Sequence, residues 1–139
     1  MRTGIVLVAV AFMLIGCADQ VVNAQTGTAN PILQRGVHSG AKARLGYYYD
    51  VKPTCEIVGY PEILIIKPPR HGAVMFEHGD DYPSFAKENI RSECDKKMVG
   101  TTQVFYQSQP DFHGKDSLTI KVIFPDSAIR TVPIEIEVL

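Results

Sequence analysis

The residues best equipped for chemistry lie between positions 71 and 116. His71 and His78 flank Met75, and His113 sits in a second Pro- and Gly-rich segment. Imidazole and thioether ligands together suit copper in an oxidising compartment. Each also has an ordinary structural reading. His71 belongs to the turn Pro69-Arg70-His71-Gly72, and Met75 alternates with Ala73 at strand spacing. The expectation is therefore no metal and no cofactor, with His71, His78 and His113 as the weak candidates. Glu77, Asp80 and Asp81 form one acidic cluster, and Asp111 and Asp116 another. Calcium needs six to eight oxygens at one point, and no DxDxDG run supplies them. A solvated loop with one turn-capping aspartate is the plainer reading. There is no GxSxG and no HExxH, so no catalytic constellation is expected and the chain is read as a non-enzyme.

The three cysteines divide by position. Cys17 follows, after Gly16, an uncharged apolar run, residues 5–15, preceded by Arg2. That run is too short to cross a bilayer as a helix of about 20 residues, and it has the length of a signal-peptide core. Residues 1–16 are accordingly read as a signal peptide. Leu14-Ile15-Gly16-Cys17 is similar to a bacterial lipobox, in which the thiol of Cys17 takes a lipid. Val22-Asn23-Ala24 offers ordinary signal peptidase a competing cut after Ala24. Either route leads out of the cytoplasm, to the periplasmic face of the outer membrane or the cell surface if lipidated, and otherwise to the periplasm or medium. A lipid on Cys17 would tether the chain to a membrane surface without spanning it. Cys55 and Cys94 remain as a pair. In an oxidising compartment the default is a disulfide, because redox pairs favour CxxC spacing and a zinc site would need closer ligands.

Charge narrows the partners. The 139 residues carry 14 basic and 15 acidic side chains, a net −1. Without a basic stripe, nucleic acid is excluded as a partner. Residues 17–43 are rich in Gln, Asn, Gly, Thr and Ala without apolar periodicity, and read as a flexible tether.

Strand patterns begin at about position 44. Leu118, Ile120, Val122 and Phe124 alternate with Thr119, Lys121 and Ile123, and Val132, Ile134, Ile136 and Val138 alternate with Glu135 and Glu137. A period of two marks strands with one buried face, which implies antiparallel sheets. Shorter apolar runs at 45–49, 63–66, 72–76 and 104–106 sit between Gly and Pro turns. The fold class is all-β: residues 44–139 as an antiparallel β-sandwich closed by one disulfide. Helix is expected only within 84–99, one or two turns capped by Ser84. Tyr47, Tyr48, Tyr49, Tyr60, Tyr82 and Tyr106 are candidate binding aromatics, although the absence of Trp argues against sugar.

Two segments, Ile66-Lys67-Pro68-Pro69-Arg70-His71-Gly72-Ala73-Val74 and residues 105–120 with Phe112-His113-Gly114-Lys115-Asp116-Ser117-Leu118, together resemble the cadherin-like and Ig-like modules of bacterial surface proteins. The resemblance covers roughly residues 60–139 and implies a fold, not a ligand. It assigns structural work to a turn motif. Pro69 helps end a strand, Gly72 permits a reversed backbone, Phe112 plugs the base of the sandwich, Gly114 takes a tight turn and Asp116 bonds loop amides. The chain departs from the pattern in standing alone, in carrying Ser108 where many members have Pro, and in the long stretch from Phe76 to Thr102 that contains Cys94. Long loops on rigid scaffolds carry binding, so residues 77–101 are the expected contact region. The expected function is a non-catalytic envelope module that binds an envelope protein or a cell-wall polymer. The alternatives are a periplasmic metal- or calcium-binding protein and a small exported protease inhibitor.

Overall fold

Each alternating segment buries one row of side chains, and two such surfaces must meet to exclude water. In the computed structural model, which describes residues 33–139, they meet as two sheets. The strands are β1 (Leu33–Val37), β2 (Lys42–Tyr48), β3 (Asp50–Val51), β4 (Ile57–Gly59), β5 (Glu62–Lys67), β6 (Gly72–Asp81), β7 (Val99–Ser108), β8 (Gly114–Ile123) and β9 (Ile129–Val138). One sheet runs β1-β9-β8-β5 and the other β2-β7-β6, with β3-β4 as a separate ribbon. The fold is an all-β sandwich with one disulfide, Cys55–Cys94. Leu118, Ile120 and Val122 of β8 and Ile134 and Ile136 of β9 pack against Leu45 of β2 and Val104 and Tyr106 of β7. The signal peptide 1–16, Cys17 and the first part of the tether lie outside the described residues.

Four expectations change. The tether ends by residue 33, not 43. Val37 is buried in the main core and Leu33 packs against it, while Lys42 and Ala43 already belong to β2. Their neighbours Gln34, Gly36, Ser39 and Gly40 hide the strand signal in the sequence. The sheets are not wholly antiparallel, because β1 pairs with β9 in parallel. β1 and β2 belong to different sheets, joined by a turn in which Gly40 has φ +71°, so β1 lies against the outer edge of β9. No helix capped by Ser84 forms. The only helical turn among the described residues is a 3-10 turn at Ser92–Lys96. Lastly, both ends of the 77–101 loop are strand, residues 77–81 in β6 and 99–101 in β7. β6 and β7 pair continuously from Gly72·Ser108 to Asp81·Val99, which leaves residues 82–98 as the connection.

Candidate functional site

The turn motif forms a closed hydrogen-bond knot around Asp116. Its carboxylate accepts from the backbone N–H groups of Arg70, His71 and Ser117, each at 2.9 Å. The Tyr106 hydroxyl donates to the same carboxylate at 2.9 Å. Burial would raise the Asp116 pKa, but the three amides and the hydroxyl outweigh it and hold the group below the usual carboxylate range. Tyr106 moves the other way, pushed up by its own burial and by the adjacent carboxylate. Phe112 packs against the main core and stacks on His71 at 4.1 Å between ring centroids. Gly114 adopts φ +122°, a conformation glycine tolerates best. Gly72 works differently from expectation. Its φ is not positive, but a Cβ there would lie 2.4 Å from the Tyr106 ring and 2.6 Å from the Gln107 carbonyl oxygen. The small residue is required by close approach and not by backbone reversal. Ser108 accepts the Gly40 N–H at 2.8 Å, tying the β1–β2 turn to the end of β7.

The metal candidates are dispersed. His71 is stacked on Phe112 and His78 on Tyr60, the latter at 4.0 Å. Seven residues of extended chain place His71 and His78 roughly 20 Å apart. Met75 lies opposite Phe105 and His78 opposite Thr102, on different faces of β6. His113 is exposed in the β7–β8 turn. Among the described residues no three His, Cys, Asp or Glu side chains converge on a metal-sized site. The three acids read as a loop cluster, Glu77, Asp80 and Asp81, are strand residues of β6; Glu77 pairs with Lys42, and Asp81 with Arg44 at 2.5 Å. Lys42 passes over the Phe105 ring on the intervening β7. On the outer face of the β1-β9-β8-β5 sheet lies an open hollow of about 640 Å³, lined by Arg35, Lys67, Arg70 and Lys115 together with Glu135 and Glu137. That mixed field favours no single sign of ligand.

The connection 82–98 is built differently from an ordinary loop. Cys94 binds it to Cys55, and Val51, Cys94 and Val99 form a second small core with Tyr49, Cys55 and Phe85 against it. Consecutive strand side chains alternate, so Tyr47 and Tyr49 share one face of their strand while Tyr48 packs on the main core. Tyr47 donates to the Tyr82 carbonyl at 2.9 Å. The Tyr49 hydroxyl donates to the Ser84 carbonyl at 3.2 Å and accepts the Ser84 N–H at 2.8 Å. Asp95 accepts the Phe85 N–H with both oxygens, at 3.0 and 3.1 Å. Arg91 donates to the Val51 carbonyl at 2.6 Å. Held this way, the connection still exposes Tyr82, Ile90 and Met98, with Ile90 73% exposed and Met98 57%. Of these, Tyr82 was among the candidate binding aromatics, whereas nothing in the sequence singled out Ile90 or Met98; only the length of the segment and Cys94 pointed to them.

No family model matches the chain, and no curated protein matches it significantly. Among solved structures, the solution structure of amebosin is similar at 11% identity, covering 76% of this chain and 88% of that one, with a TM-score of 0.43. A likeness that weak carries no argument about fold or function.

Proposed function

We propose that this chain is a non-catalytic, exported envelope module of the cadherin- and Ig-like kind, which binds a protein partner through the connection 82–98. The observation that carries the reading is the combination of apolar exposure with rigidity. Tyr82, Ile90 and Met98 are presented on a segment already ordered by a disulfide, a local core and several hydrogen bonds. Ordering that is complete before binding removes an entropic cost of association, and large apolar side chains at the centre of a contact supply most of its energy. Exposed apolar side chains favour a protein over a charged wall polymer as the ligand. The export part of the reading is supported by the disulfide, since such bonds persist in oxidising compartments, and by the apolar leader and the lipobox-like Cys17. The protease-inhibitor alternative would use the same pinned segment, with a protease as its partner.

Capture from an envelope extract tests this reading. The double variant Ile90→Asp with Met98→Asp alters exposed positions and leaves both cores intact. Loss of two anchors should lower recovery of the partner about 30-fold or more. Recovery equal to that of the unaltered chain would move the site elsewhere.

A further inference from the structure

We infer that β5 is a self-complementary edge through which two copies of this chain join antiparallel. Among the described residues β5 pairs only with β8 and ends its sheet, so that within them one side of its backbone has no strand beside it. Native edges of this sort are usually blunted by charge, proline or a bulge. In β5 the charges stand only at the ends, Glu62 and Lys67, and prolines lie just outside, at Pro61 and Pro68. Between them Leu64, Ile65 and Ile66 are 42%, 42% and 52% exposed.

The bulge sets the faces of this strand. Glu62, Ile63, Leu64 and Ile65 lie opposite Ile123, Val122, Lys121 and Ile120 of β8, and then Lys67 lies opposite Thr119, with Ile66 as the extra residue. Thr119, Lys121 and Ile123 belong to the outer row of β8, and the buried Ile120 and Val122 to its inner row. Glu62, Leu64 and Lys67 therefore share the outer face. Without the inserted residue, Lys67 would fall on the inner row. The strand thus has five rungs, and they read as a palindrome of charge. When a second β5 lies antiparallel with Leu64 on the two-fold axis, Glu62 of each copy meets Lys67 of the other. Leu64 meets Leu64, and Ile63 meets the Ile65–Ile66 rung. Opposite charges directly across an antiparallel pair stabilise it and like charges oppose it. Neither Glu62 nor Lys67 has an ion-pair partner among the described residues. The prolines at both ends limit the length of the ladder, and the two charge pairs favour this register. The contact is isologous and closes at two copies, giving one eight-stranded sheet across the pair.

Sedimentation equilibrium of the purified full chain tests the inference through charge exchange. The unaltered chain should dimerise. Glu62→Lys alone and Lys67→Glu alone each turn two attractive pairs into two repulsive ones, and should weaken dimerisation about tenfold or more. Mixing these two variants should restore association as a heterodimer, because every cross-strand pair is then opposite in sign, and that recovery shows both proteins are folded. The double exchange in one chain should also dimerise. A chain that stays monomeric up to about 1 mM, including one whose β5 accepts only a foreign strand, overturns the inference. So does association that ignores the exchanges, as would follow if the apolar residues 5–15 drove it.

Discussion

Asp116 is the residue on which most local order converges. Replacing it by Ala strands three amide donors and the Tyr106 hydroxyl in a buried setting. The cost should be about 3 kcal/mol in urea unfolding. Asp116 also ties stability to pH. Its folded pKa is depressed, so the stabilisation is complete above the ordinary carboxylate range. It is lost as pH falls through the folded value, because the unfolded chain takes up the proton first. Unfolding free energy should fall below about pH 4 in the unaltered chain, and Asp116→Asn should flatten that slope. Gly72→Ala should cost about 2 kcal/mol through overpacking against Tyr106. A substitution cost near zero would show that the close approach to Tyr106 does not require glycine at position 72. At this scale the sequence was informative about type and silent about partner. Turn chemistry indicated that Asp116 would hold loop amides. Which amides, and the Tyr106 hydroxyl beside them, depend on where β6 and β7 lie relative to β8.

Elements were legible in proportion to the regularity of their burial. β8 and β9 each bury alternate side chains along most of their length, so period-two alternation located them. β1 contributes only Val37 as a buried residue and carries Gly36 in its interior, which left it indistinguishable from tether. A chain beginning at residue 44 would remove Leu33 and Val37 from the main core and uncover the edge of β9. Its unfolding free energy should be lower by about 3 kcal/mol than that of a chain beginning at residue 33, from lost burial alone. Equal denaturant midpoints would show that β1 contributes nothing. The connection 82–98 was legible as an unusual length and as a cysteine to be paired. Its rigidity was not, because the tyrosines that hold it lie 35 residues away in sequence.

At the scale of the whole molecule, two cores divide the labour. The larger one, between the sheets, makes the sandwich. The smaller one, around Val51, Cys94 and Val99, fixes the connection to the scaffold. Closing a loop whose ends lie 39 residues apart disfavours the unfolded chain by about 4 kcal/mol in the chain-entropy model. A small domain gains from such a staple, and here the staple also ties the connection 82–98 to the scaffold at Cys94. The separation of hydrogen-bonded turn motif, main core and pinned connection is what a binding module requires: the scaffold stays fixed while one segment meets the partner. The most direct measurement is site-specific photo-crosslinking in cells that produce the chain, with the reactive group placed at position 90 and, as a control, at position 121 on the outer face of β8. A discrete adduct from position 90 and none from position 121 is the predicted result. No adduct from position 90, or the same adduct from both positions, would contradict the assignment of binding to the pinned connection.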